Sequence, residues 1–299
     1  GDHRDLHSFP TRRSSDLAIR ESAVGRPLGA WLSGGLDSSA LAALAMAEAG
    51  SLHTFSAGLR DAPDLQFARA VASHIRSDHH ELTLDLEQLL SALPQVIYHL
   101  ESFDALLVRS SIANFLVARM AADYVSEVFS GEGADELLAG YAYLKALAAD
   151  ELPRELLDIS SRLHNTALQR VDRCAAAHGT DAHLPFLHPA VVDLALRMPV
   201  SFKIHQNVEK WILREAMKGR LPESVLTRTK AKFWEGAGIS TMLQAYADAQ
   251  ISDADFNRER TLANGWTLLS KEELMYYRLF REQLGDMDTL QWMGRSKSE

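Results

Sequence analysis

Cysteine is almost missing from this chain: Cys174 is the only one in 299 residues. A single thiol cannot close an internal disulfide, which fits a reducing, cytoplasmic compartment. Basic charge is also short, with 31 Lys and Arg against 40 Asp and Glu and a formal net charge of −9. That balance argues against nucleic acid as the main partner, because backbone phosphates are bound by clustered Lys and Arg. A local basic pocket is still allowed. Long apolar runs are missing too. The run over 40–47 ends at Glu48, far below the roughly 20 residues of a membrane span. Internal repeats, low-complexity tracts and Gly/Ser/Pro linkers are absent. Hydrophobic content of 46% with 24% charged residues is ordinary for a soluble globular chain, and the length suits one large or two modest domains.

What is present is organised around Leu28-Gly29-Ala30-Trp31-Leu32-Ser33-Gly34-Gly35-Leu36-Asp37-Ser38-Ser39. A short apolar run ends in Ser-Gly-Gly, and an Ala/Leu-rich stretch follows until Gly50, which predicts strand, tight turn and helix with a glycine stop. Two glycines let backbone N–H groups approach an anion, and the helix N-terminus adds partial positive charge. Such a site suits a phosphate chain. No Lys follows the glycines, so this is not the loop of γ-phosphate-transferring NTPases. Ser-Gly-Gly-x-Asp-Ser-Ser instead resembles the pyrophosphate-binding loop of ATP pyrophosphatases, which cleave ATP between the α and β phosphates.

Residues 1–17 have no helical or strand period, and 7–17 resemble an in-frame translation of a sequencing-library adapter. They are read as non-native or disordered and set aside; 18–295 are read as one unit. Strands are expected at 52–59, 79–84 and 125–129, with helices at 63–75, 86–99 and 110–124 between them. Strands alternating with such helices indicate α/β architecture with a doubly wound parallel sheet. Ligands of such sheets sit outside the carboxyl ends of the strands. Ser33, Ala57 and Ser130 each fall at such an end. Beyond Gly140 the pattern turns helical, with candidates at 163–178, 189–197, 209–220 and 271–284, and this half is expected to pack directly on the sheet.

A second motif, Phe129-Ser130-Gly131-Glu132-Gly133-Ala134-Asp135-Glu136, is followed by Gly140-Tyr141. With the first loop at this separation, it resembles the synthetase domain of glutamine-hydrolysing asparagine synthetases. Further matches are Pro63-Asp64-Leu65, Arg170-Val171-Asp172-Arg173, Pro185-Phe186-Leu187, Glu209-Lys210-Trp211-Ile212-Leu213-Arg214 and Lys230-Ala231-Lys232-Phe233. The first loop alone is shared with GMP synthetases, NAD synthetases and tRNA-thiolating enzymes; the set together is far more specific. The resemblance implies an ATP-pyrophosphatase-type fold and two-step chemistry. The aspartate side chain attacks the α-phosphorus of ATP to give β-aspartyl-adenylate and pyrophosphate. Ammonia then gives asparagine and AMP.

The resemblance also implies roles. ATP is expected on Leu32, Ser33, Gly34, Gly35, Asp37, Ser38, Ser39, Ala57, Ser130 and Gly131. Asp37 and Asp135 are suited to Mg²⁺, a hard cation that takes carboxylates and substrate phosphates together, and the family places metal ligands at both. Glu132, between two glycines, is expected to act in adenylate formation and the ammonia step. Lys230 is expected to neutralise the α-phosphate as the transition state develops, with Lys232 a nearby competitor. Arg109 and Arg170 fall at matched positions and suit pyrophosphate or a carboxylate; for each, a structural ion pair is the rival reading.

Other clusters read as structural. His79 and His80 point to opposite faces of a strand, and Cys174 with His178 at helical spacing has no acyl-transfer motif around it, so Cys174 reads as packing. Two departures from the family stand out. The glutaminase half with its N-terminal cysteine nucleophile is not seen, so ammonia is expected either free or from a glutaminase domain normally fused N-terminally. Asp181, His183 and His188 replace the usual Glu, Arg and Asp, which suggests one ionic contact exchanged for a neutral or pH-sensitive His contact. A homodimer is possible. Rival readings are a related adenylating ligase of the β-lactam synthetase or peptide cyclase type, and a non-catalytic nucleotide-binding remnant.

Overall fold

Leu28–Trp31 is apolar on both faces, and all four residues are buried, as expected of a strand covered on both sides by helices. It is β1, the middle of a five-stranded sheet in the computed structural model, which describes Ile19, residues 27–229 and residues 239–295. The other strands are β2 (His53–Leu59), β3 (Asp78–Leu84), β4 (Glu127–Phe129) and β5 (Asp181–His183), in the order β3-β2-β1-β4-β5. Every pairing is parallel. The chain moves outward from β1 to β3, then returns to place β4 on the other side of β1. The switch in strand order therefore falls between β1 and β4, where parallel sheets open a crevice at their carboxyl ends.

Two apolar layers hold the helices on the sheet. On one side Trp31 and Phe55 pack with the Leu86–Leu100 and Ala105–Ala122 helices and with Leu274, Tyr276 and Phe280 of the Lys271–Leu284 helix. On the other, Ala30 and Leu32 pack with the Leu36–Ala49 and Pro63–Ile75 helices and with Phe186, Val191, Met217 and Val225. Both layers mix early and late residues, so the helical half packs directly on the sheet as expected. The Ala105–Ala122 helix is long and apolar enough to cross a membrane by length and composition, but 72% of that window is buried inside the structure. It is a core helix, capped by Asp104 accepting from the Leu107 N–H at 2.9 Å.

Three of the differences from the sequence expectation bear on the site. β5 was not foreseen; three residues are too short for a period to register. It is fixed by the β4 ladder, continued by Asp181 N–H to Ser126 O at 2.8 Å and Ser130 N–H to His183 O at 2.9 Å. The helix expected at 209–220 is only Trp211–Ala216, preceded by a tiny hairpin of Ile204–His205 on Val208–Glu209. Its turn residues Gln206 and Asn207 have φ of 47° and 65°, the left-handed pair that a two-residue hairpin requires. The helix expected at 163–178 breaks at Thr166 into a short 3₁₀ turn and the Ala167–Ala176 helix.

Candidate active site

The loop after β1 is closed by its own hydroxyls. Ser38 Oγ accepts from the Ser33 N–H at 3.2 Å and donates to the Gly35 carbonyl at 3.2 Å, while the two Ser hydroxyls lie 3.0 Å apart. Gly34 has φ of 71°, and a Cβ there would lie 2.6 Å from the Ala68 nitrogen. The turn is thus wedged against the Pro63–Ile75 helix and admits no side chain. Arg228 locks it from outside: it donates to the Gly34 carbonyl at 3.0 Å and to the Asp64 carboxylate, and its guanidinium lies 4.2 Å from the Phe67 ring centre. Burial pushes the Asp64 pKa up despite the opposing pull of Arg228.

The loop after β4 meets the first one backbone to backbone. A Cβ on Gly131 would lie 2.9 Å from the Ser38 nitrogen. This contact brings Asp37, in the first turn of one helix, beside Asp135, in the first turn of the Ala134–Leu138 helix. The Lys210 ammonium lies 2.5 Å from a carboxylate oxygen of each. Lys210 reaches them because the chain turns left-handed there, with φ of 52°, directly after the hairpin. Burial alone would lower its pKa, but the charges of Asp135 and Asp37 raise it above the ordinary lysine value. Two acidic groups from two loops therefore share one cation position, which suits a divalent ion held together with phosphates.

Glu132 is held by Arg170, whose guanidinium donates to its carboxylate. Arg170 is 9% exposed and Glu132 opens onto the cavity. Burial opposes the Arg170 charge, yet Glu132 keeps its pKa above the ordinary arginine value. Next to them, burial and then the charge of Asp135 push Glu136 up to about 7, although it accepts a hydrogen bond from the Tyr141 hydroxyl. Beyond it, Glu209 ties Lys145 at 2.5 Å to Arg214 at 2.5 Å.

Most of these groups line one cavity of about 700 Å³, large enough for a nucleotide together with a small second substrate. Leu32, Ser33, Gly35, Asp37, Ser38, Ala57, Ser130, Gly131, Glu132, Asp135 and Arg170 all line it. Gly34 and Ser39 do not; Gly34 packs against the Pro63–Ile75 helix, and Ser39 is fully buried. Arg109 is a correction, since it faces away from the cavity. Its guanidinium donates to Glu272, at 2.7 and 2.8 Å from Nε, and Tyr276 donates to the same carboxylate at 2.6 Å. Burying a guanidinium inside a helix layer requires such a partner, so Arg109 is the structural ion pair. Lys230 and Lys232 lie outside the described residues.

Sequence reasoning assigned no role to Lys210, Arg228, Glu136 or Tyr141. Lys210 stood inside a matched motif, but only the left-handed turn aims it at the aspartates. Arg228 belongs to a Thr-Arg-Thr-Lys run that reads as a solvated charge run. The departures at His183 and His188 take separate partners: His183 Nε2 lies 3.3 Å from Glu127, and the His188 ring accepts from the Ala190 N–H at 3.3 Å as a helix cap. His188 thus fills a capping role open to a carboxylate. Cys174 is buried, with its thiol pushed up to about 12 by burial, which leaves it inert packing.

Comparison with known proteins gives the chain's relatives. The asparagine synthase family matches residues 18–163 and 145–295 in two overlapping stretches. Asparagine synthetase B [glutamine-hydrolyzing] of Escherichia coli is 36% identical over 276 residues, covering 86% of this chain and 50% of its own length. The Gallus gallus asparagine synthetase [glutamine-hydrolyzing] is 38% identical over 254 residues, 79% of this chain and 45% of its own. The chain thus spans about half the length of the curated relatives it matches. An NMN synthetase from Francisella tularensis superimposes over 94% of this chain with a TM-score of 0.43 and 13% identity, too distant a likeness to inform the site.

Proposed function

Because the chain belongs to the asparagine synthase family, we propose that it activates the side-chain carboxylate of aspartate with ATP and then forms the amide with ammonia. The observation that carries this reading is the convergence of two loops at the β1–β4 switch point. One loop has the amides and hydroxyls for a phosphate chain, and the other aims Glu132 into the same cavity.

In the first step a carboxylate oxygen of aspartate bonds to the α-phosphorus, and the bond from that phosphorus to the bridging oxygen breaks. Pyrophosphate leaves with the electron pair, and its developing charge faces the amides of 33–38 and the helix N-terminus. Asp37 and Asp135 would hold Mg²⁺, their shared cation position being the feature that fits it. When bound, the ion neutralises phosphate charge. Lys230 is proposed for the α-phosphate itself. In the second step the ammonia nitrogen bonds to the activated carbonyl carbon, the carbon–oxygen bond to AMP breaks, and the nitrogen sheds a proton. Glu132, fixed by Arg170, is the group placed to accept that proton. We assign the ammonia supply to a glutaminase domain, in keeping with the glutamine hydrolysis in the relatives' names.

ATP–pyrophosphate exchange over a panel of amino and other carboxylic acids tests the proposal. Exchange that requires aspartate is the expected result. Exchange with another acid and none with aspartate would move the chain to a related ligase, and ATP binding without any exchange would make it a nucleotide-binding remnant.

A further inference from the structure

A second cluster of metal-ligating atoms lies at the other end of the sheet. The parallel register pairs His53 with Asp78 and Phe55 with His80 across β2 and β3. Side chains alternate along a strand, so His53, Asp78 and His80 share one face, while His79 turns to the other and bonds Thr54 at 3.0 Å. The three donor atoms form a closed triangle: His53 Nδ1 to His80 Nε2 is 3.1 Å, His53 Nδ1 to Asp78 Oδ2 is 3.2 Å, and His80 Nε2 to Asp78 Oδ2 is 3.5 Å. Donors at about 2.0–2.1 Å from a tetrahedral ion are separated by about 3.3–3.4 Å. The triangle therefore already has the size of one face of a tetrahedral coordination shell.

Packing fixes the rings in that arrangement. His80 stacks on Phe55 with ring centres 5.1 Å apart and lies 3.9 Å from the Tyr124 ring, while His53 stacks on His80 at 5.4 Å. Asp78, 66% exposed, leaves the fourth direction open to solvent. Without an ion, one of the two facing ring nitrogens carries the proton they share. On metal binding that ring passes to its other tautomer and both lone pairs face the ion.

We propose that His53, Asp78 and His80 form a site for Zn²⁺ or a similar late first-row divalent cation, completed by water, which clamps edge strand β3 to β2. Two imidazoles and one carboxylate select such ions over Mg²⁺. None of the three residues lines the nucleotide cavity; Phe55 stands between, lining that cavity and stacking on His80.

Isothermal titration of Zn²⁺ into the metal-stripped full chain, without ATP, tests the site, with Co²⁺ absorption reporting the coordination geometry. One equivalent bound with a tetrahedral Co²⁺ spectrum is expected. The binding is lost in His53→Ala and His80→Ala, weakened about tenfold or more in Asp78→Asn, and kept in His74→Ala on an exposed helix end. Zn²⁺ also raises the thermal midpoint of the parent chain but not of His53→Ala. No saturable Zn²⁺ binding in the parent, or binding that survives both histidine substitutions, overturns the proposal. If neither histidine variant folds by circular dichroism, Asp78→Asn decides alone, and unchanged affinity overturns it.

Discussion

Arg170 donates to the carboxylate of Glu132 from a helix 38 residues further along the chain, so the loop carboxylate does not float at the cavity wall. Its aim is set by a buried guanidinium. Arg170→Lys keeps the charge but shortens and reshapes the donor. The expected result is a kcat about a hundredfold lower with KM for ATP nearly unchanged, read from steady-state pyrophosphate release. A rise in KM for ATP at constant kcat would place Arg170 on the nucleotide instead.

Lys210 sits where Asp37 and Asp135 meet. Lys210→Met removes a buried cation from between two carboxylates, a loss of about 3–5 kcal/mol. Urea unfolding of the variant with EDTA should show that loss, and millimolar Mg²⁺ should restore part of it. Equal stability with and without Mg²⁺ would contradict a shared cation position.

Arg228 joins Asp64 to the Gly34 carbonyl. Arg228→Ala removes the partner of a buried carboxylate, at an expected cost of about 3–5 kcal/mol, together with a higher KM for ATP as the loop loosens. A stability loss below about 1 kcal/mol would reduce the contact to the value of a surface pair.

Glu136 loses its proton near pH 7 in the folded chain but near 4.5 when exposed. Between those values the folded state holds the extra proton, so this group's contribution falls as pH rises through the window and levels off above it. Glu136→Gln has no charge to bury. Urea unfolding should find the variant and parent similar at pH 4.5, with the variant gaining up to about 3 kcal/mol over the parent at pH 8. A stability difference independent of pH would contradict the assignment.

Much of this was legible in the sequence, and the reasons differ by element. The strand–turn–helix at 28–49 is local, and its glycine, helix and apolar signals all agree, so both its structure and its place on the cavity follow from reading it. Glu132 and Asp135 were legible as a motif. The partners of these groups were not. Arg170 as anchor, Lys210 as counterion and Arg228 as lock are meetings across 38, 173 and 194 residues of chain, and no periodicity reports such contacts. Arg109 misled for the same reason, because its Glu272 partner is 163 residues away. The His53–Asp78–His80 triangle depended on strand register; reading His79 and His80 alone showed only opposite faces.

The central claim is that a carboxylate oxygen, not water, attacks the α-phosphorus, and an isotope can follow that oxygen. Aspartate labelled with oxygen-18 in its side-chain carboxylate is incubated with the protein, ATP, Mg²⁺ and ammonia, and the phosphate products are analysed by mass spectrometry. The account predicts one labelled oxygen in AMP for each asparagine formed, with unlabelled pyrophosphate. Label in inorganic phosphate alongside ADP, or unlabelled AMP, would contradict it.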